Sequence, residues 1–417
     1  MRFTVKNVAL YCLFASASVG FCQTAKVGNA AAGKAETIKI AFIDGISGPF
    51  ANIGLNMLRS HQFVADRLTP SKGLRVELVP FDSKGSPQEA INALKAATDQ
   101  GIRYITQGNS SAIAAALIDA INKYNERNPG KELVFFNYAA VDPDLTNAKC
   151  SYWHFRFDAD SGMKMEAMTT FMKEDTSVKN VYLINQNYSH GQQVSRAARE
   201  MLALKRPDVK VVGDDLHPVG QVKDFAPYIA KIKAAGADSV ITGNWGADLT
   251  LLIKAAKESG LNINFYTYYA GAQGTPAAIG DSSEGKVKVI YVSNVNMPEL
   301  LKAEEEYAIR YKEDFSVHTV WHMYTMLPAA VAKAKSTDPL AVAKAMEGLS
   351  VKSFSGDITM RASDHQLQQA LYMSSWHKTD TKNPLNLENT GFTWVQDKKY
   401  EPYVSSTPTS CQMKRPV

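Results

Sequence analysis

Three places along the chain carry residue types able to hold a small polar molecule. The first is Asn109-Ser110-Ser111, which lies between an apolar run at residues 103–106 and a helical stretch at 111–124. The start of a helix offers backbone N–H groups with no acceptor inside the helix, and a partial positive charge. Serine hydroxyls add donors, so the place suits a carboxylate. The same residues would also serve as a plain N-cap. The second and third places are Tyr188 and Trp245, each after a predicted strand and before a predicted helix. Each has an apolar body and a polar tip, which suits closure over a partly apolar ligand; packing beneath the surface is the alternative. Phe50, in the first loop, is a further aromatic candidate.

Other chemistries find little support. No GxGxxG or GxxxxGK[ST] follows the first predicted strand, and no G-x-S-x-G elbow is present. His190, His217, His318, His322 and His365 are scattered. His318 and His322 share helical spacing, but the acid of a His-Glu-x-x-His motif is missing, so no metal is expected. No cofactor and no catalytic residue are expected either. The chain reads as a binding protein rather than an enzyme.

The elements that position these residues alternate regularly. Apolar runs at 38–43, 74–81, 103–106 and 133–136 read as strands, with helical stretches at 57–68, 87–97 and 111–124 between them. A second series places strands at 181–184, 209–212, 239–242 and 263–267. Helices at 163–172, 194–202 and 249–256 accompany it, with another that Asp224 caps and that has Pro227 in its first turn. Each is a β-α-β-α succession, the mark of a parallel sheet covered on both faces. A strand at 287–292, helices at 298–311 and 318–335 and from Asp338-Pro339, and strands at 357–360, 370–375 and 392–395 complete first one series and then the other. With 417 residues, two lobes are expected.

The N-terminus reads as an export signal. Arg2 and Lys6 precede an apolar run at residues 8–19, and small residues follow. Residues 1–22 are taken as a signal peptide and 23–36 as a flexible leader. Cys22 is preceded by Phe21 where a lipoprotein would have a small residue, so lipid anchoring is not expected. No later segment is apolar enough to cross a bilayer. The formal charge of +5 falls by two when Arg2 and Lys6 are removed. A balance this weak and dispersed argues against nucleic acid. Beyond the signal region only Cys150 and Cys411 remain, and in an oxidising compartment they are expected to pair.

Several segments, in order, carry a family resemblance. The strand Ile38-Lys39-Ile40-Ala41-Phe42 leads into Gly45-Ile46-Ser47-Gly48-Pro49-Phe50 and Gly54. Gln107-Gly108-Asn109-Ser110-Ser111, Asp142-Pro143-Asp144-Leu145-Thr146, Phe155-Arg156 and Tyr188-Ser189-His190-Gly191 follow. This set resembles the type I periplasmic solute-binding proteins of ABC importers, in the branched-chain amino acid group. The resemblance implies two Rossmann-like lobes with parallel sheets joined by a three-strand hinge, a Venus-flytrap clamp. Lobe 1 would span 37–156 and 293–368, and lobe 2 157–292 and 369–417. It further implies a periplasmic monomer that binds a small organic carboxylate and delivers it to an ABC permease and its ATPase subunits. A ligand sensor with the same clamp is the alternative.

The resemblance also adds site residues. The loop Tyr138-Ala139-Ala140-Val141 would contribute to the carboxylate subsite, with Val141 standing where a Thr hydroxyl is common. Gln273 stands near the position where amino acid binders of the group often place a carboxylate for the ligand ammonium. A neutral amide cannot supply that charge, and a buried unpaired ammonium is costly. Either another acid such as Asp248 replaces it or the ligand lacks an ammonium. Hydrophobic amino acids and aromatic acids therefore both stand as candidate ligands.

Overall fold

The computed structural model describes residues 36–416. The expected signal peptide and nearly all of the leader lie outside the described residues. Glu36, the last residue assigned to the leader, already pairs in the first strand. Strands β1 (Glu36–Asp44), β2 (Leu74–Asp82), β3 (Tyr104–Gln107), β4 (Val134–Asn137) and β5 (His154–Arg156) form a parallel sheet in the order β2-β1-β3-β4-β5. Ile40, Ala41, Phe42 and Ile43 of β1 are fully buried, because helices cover both faces of the sheet. A continuous apolar run is what such a strand requires, and each large side chain removed from water contributes about 1.5–3 kcal/mol.

The second sheet repeats the plan. Strands β6 (Asn180–Gln186), β7 (Lys210–His217), β8 (Ser239–Thr242), β9 (Asn264–Thr267) and β10 (Val287–Tyr291) run parallel in the order β7-β6-β8-β9-β10. A small antiparallel sheet, β11 (Ser350–Ser353), β12 (Gly356–Met360) and β13 (Leu367–Gln368), packs with the first lobe's core. Strands β14 (Leu371–Lys378) and β15 (Phe392–Tyr400) extend the second sheet antiparallel beyond β10. The protein is thus an α/β fold of two lobes with parallel central sheets.

The chain passes between lobes after β5, after β10 and between β13 and β14. At the hinge, Arg156 is fully buried and bonds the Gln366 side chain, the Asp142 carbonyl and Asp160. The C-terminal tail does not stay on the second lobe, to which residues 369–417 were assigned. After Ser405 it returns to the first. Thr409 donates to the Thr146 carbonyl at 3.0 Å, Met413 packs against the first lobe's core, and Arg415 pairs with Glu347. Cys411 is disulfide-bonded to Cys150, with Cα atoms 5.7 Å apart. The expected pairing of Cys411 with Cys150 already implies this return, which the irregular spacing of polar and apolar residues in the tail does not.

Candidate ligand-binding site

In open sheets of this strand order, the crevice lies beyond the carboxyl ends of the strands where the order reverses. In the first sheet that point is between β1 and β3. In the second it is between β6 and β8. The loops after β3, β6 and β8 carry Asn109 to Ser111, Tyr188 and Trp245, and together they line one chamber of about 400 Å³. The two switch points therefore face each other across the cleft.

The first-lobe wall is held from beneath. Asp44, at the end of β1, accepts from Gln107 Nε2 at 3.1 Å, from the N–H groups of Gly108 and Asn109 at 3.1 and 3.2 Å, and from the Tyr138 hydroxyl. Burial pushes the Asp44 carboxyl up to about 7, against these hydrogen bonds, which favour the anion. Gly108 cannot be larger: a Cβ there would lie 2.7 Å from the Tyr138 ring. Ser110 caps the helix Ser111–Arg127 by accepting from the Ile113 N–H. Ser111 is buried, and its Oγ accepts from the Asp142 N–H at 3.2 Å, which leaves its proton free to donate. The N–H groups of the first helical turn have no partner within the helix.

The next loop is fixed by Asn137. Its Oδ1 accepts from the N–H groups of Ala139 and Ala140 at 3.2 and 2.7 Å. Both alanines line the chamber, but these donors are turned toward Asn137 and not toward a ligand. Tyr138, expected in the site, lines neither this chamber nor the one that continues from it. It is fully buried under the loop, bonded to Asp44, with its ring edge-on to His61. The pattern Tyr-Ala-Ala-Val shows a loop but not which member turns inward.

The second-lobe wall is aromatic. Trp245 Nε1 donates to the Tyr188 hydroxyl at 2.8 Å. The Trp245 ring stacks on Phe50 from the first lobe at 4.9 Å between centroids, so the mouth is closed on this side. His190 also lines the chamber, though sequence spacing gave no sign of it. It is fully buried, and burial pulls its pKa down to about 4, so the ring is neutral at pH 7. Nε2 lies 3.2 Å from the Gly243 carbonyl, and donation there leaves Nδ1 an acceptor, buried without a partner. No carboxylate stands among the residues lining this chamber. Asp248 is not one of them, since its Oδ2 accepts from Gln186 and from the Gly220 N–H.

A second chamber, about 870 Å³ with its open mouth, continues from the first past Ile53, Met57, Ala139, Tyr269 and Ala272, which line both. Gln273 belongs here, with its Oε1 buried and unpartnered. So do three acids. Asp158 pairs with Lys164 at 2.6 Å, both fully buried, and its Oδ1 has no partner. Asp314 Oδ2 accepts from the Glu388 N–H at 2.6 Å, a bond between the lobes. Glu388 in turn holds the N–H groups of Gly274 and Ala277. Trp394 Nε1 is a buried donor without a partner in the same wall.

Two lobes closing on a cleft built from paired switch points agree with what the chain resembles. Residues 37–382 match the periplasmic binding protein family. The chain belongs to that family. It is 32% identical over 418 residues to Leu/Ile/Val-binding protein homolog 4 of Brucella abortus (strain 2308), covering 95% of this chain and 97% of the relative. Among solved structures, it matches the closed leucine-, isoleucine-, valine-, threonine- and alanine-binding protein of Brucella ovis. That match has a TM-score of 0.81 and 31% identity, covering 92% of this chain and 100% of the other. A benzoate-bound ABC transporter solute-binding protein of R. palustris shares the fold at TM-score 0.73 and 18% identity, over 87% of this chain and 96% of that one.

This periplasmic binding protein thus brings together Asn109, Ser110, Ser111, Ala139, Ala140, Tyr188 and Trp245 in the near chamber. Phe50 closes over Trp245, Gln273 stands in the far chamber, and Tyr138 lies beneath the floor. Val141 lines the near chamber, and its N–H has no partner among the described residues.

Proposed function

We propose that this solute-binding protein is the exported, periplasmic capture component of an ABC importer and that it holds a small organic carboxylate between its lobes. The observation that carries this reading is the start of the helix Ser111–Arg127 opening into the near chamber, with Ser111 Oγ–H and the N–H groups of Ser111 and Ala112 without partners among the described residues. Such donors favour an anion, and none of the near-chamber residues carries a charge that would repel it. The ligand docks on the first lobe. It stabilises the closed state only through what it then touches on the second, chiefly Tyr188 and Trp245. Nothing is transformed, and closure itself is the signal that a permease reads. Branched-chain or other hydrophobic amino acids and aromatic acids all carry the carboxylate that this anchor requires, and what the rest of the cleft accepts decides among them. Purification without denaturation, followed by mass spectrometry of the released solute, tests it. A small organic acid is expected at near-equimolar occupancy, and a co-purifying solute that lacks an acid group would defeat the reading.

A further inference from the structure

The proposed carboxylate anchor and the cleft's negative charges are in different chambers. The near chamber holds donors, one neutral acceptor in His190 Nδ1 and no acid, whereas the far chamber holds Asp158, Asp314 and Glu388, two buried acceptors without partners, Asp158 Oδ1 and Gln273 Oε1, and one such donor, Trp394 Nε1. Of the acids, only Asp158 has a buried cation beside it, Lys164. His318, in the same wall, is occupied on both nitrogens by Ser293, Glu304 and the Phe315 carbonyl. Between the two polar ends the shared wall is apolar, with Ile53, Met57 and the Tyr269 ring.

An α-amino acid does not match this layout. Its ammonium sits one carbon from its carboxylate and would fall in the near chamber, where no acid lines the wall. Burying that charge unpaired is unfavourable. Asp314 and Glu388, by contrast, are half-buried anions whose carboxyls burial pushes above the usual range, and each faces a space with no free cation among its lining residues. A positive, donor-bearing group there would offset their charge and satisfy the open acceptors.

We propose that the cleft is built for an elongated amphoteric acid: a carboxylate at the helix Ser111–Arg127, an apolar body along Met57 and Tyr269, and an amine-type donor group in the far chamber. This rests on the carboxylate-clamp reading above and narrows its ligand class.

Calorimetric titration of the ligand-stripped protein tests the proposal with a graded series of ω-amino acids, from 4-aminobutanoate to 8-aminooctanoate. Each is compared with the unsubstituted acid of the same length, and 4-(aminomethyl)benzoate with 4-methylbenzoate. Leucine is measured alongside. At the best length the amine-ended acid is expected to bind at least about tenfold more tightly than its methyl-ended twin. Asp314→Asn keeps the acceptor for the Glu388 N–H. It should cut that preference by about tenfold while leaving the methyl-ended acids unchanged. Tighter binding of leucine or of the methyl-ended acids overturns the proposal and leaves the clamp reading standing. Failure of every acid to bind overturns both.

Discussion

The first lobe presents the near chamber with the loops Gly108 to Ser111 and Ala139 to Val141, beside Ile53 and Met57, whereas the second presents Tyr188, His190, Trp245, Gly246, Tyr269 and Ala272. The loops of the first wall are small residues whose backbone is tied down from behind, by Asp44 under residues 107–109 and by Asn137 under 139–140. The other wall is made of rings, with Tyr188 and Trp245 linked to each other by one hydrogen bond. The difference separates two tasks. A backbone wall held by buried hydrogen bonds is preformed, so it would orient the proposed anion at little entropic cost. A ring wall buries area and expels water, so it decides whether closure is favourable.

Removing the central ring of the second wall is the strongest way to break this contrast. Trp245→Ala loses the stack on Phe50, the bond to Tyr188 and the area that a ligand would cover. Affinity for the co-purified solute should fall by about 3 kcal/mol, on the scale of a buried aromatic anchor. Trp245 is in none of the buried core clusters, so the melting temperature without ligand should move little. Calorimetry and thermal melting on the same preparation check both halves. An affinity within threefold of the parent would mean that the rings pack without binding.

The first wall is sharpened by its two serines, which are neighbours with different duties. Ser111→Ala removes a buried hydroxyl that is free to donate, and should cost about 1.5–3 kcal/mol of affinity, as expected for a bond to a charged group. Ser110→Ala removes the helix cap, and should cost about 1 kcal/mol of stability with a smaller loss of affinity. Denaturant unfolding and calorimetry separate the two. Equal effects on both readouts would erase the distinction between capping and binding.

Sequence pattern reaches different depths in these two walls. Strand β8 and the helix Pro339–Met346 behind Asp338 are readable because an apolar run and a Pro after a capping Asp leave little choice. Strand β15 runs on to Tyr400, past the expected end at residue 395, since its outer half is exposed and polar and the apolar signal stops early. The short strands β5, β11 and β13 pair through tertiary context and have no pattern of their own. Of the residues lining the candidate chamber, those that open a helix or follow a strand stand out in the sequence: Ser110, Ser111, Tyr188 and Trp245. His190 was not, because one histidine on a helix is uninformative until the Gly243 carbonyl and the chamber are seen around it. Tyr138 was misplaced for the complementary reason, since its inward turn depends on Asp44, which is far away in sequence.

The smallest effect concerns the proton on Asp44, which lies directly behind the proposed anion subsite. Burial raises this carboxyl to about 7, so in the folded protein it is partly protonated near neutrality. A group raised in this way stabilises the fold below its unfolded pKa, and the contribution is lost as pH rises through about 7. An anionic ligand on the other side of the Gly108-Asn109 loop adds a like charge and raises Asp44 further. Binding must then take up a fraction of a proton, and affinity must increase as pH falls through 7. The second wall should contribute nothing in this window. His190 titrates at about 4, and His61, behind the first wall, at about 3, so both stay neutral. Calorimetry at pH 7 in two buffers of different ionisation heat counts the protons, and an uptake of about a few tenths per ligand is expected. Net release would show that the charge responding to the ligand is not Asp44, and the division between a titrating first wall and a silent second one would fail.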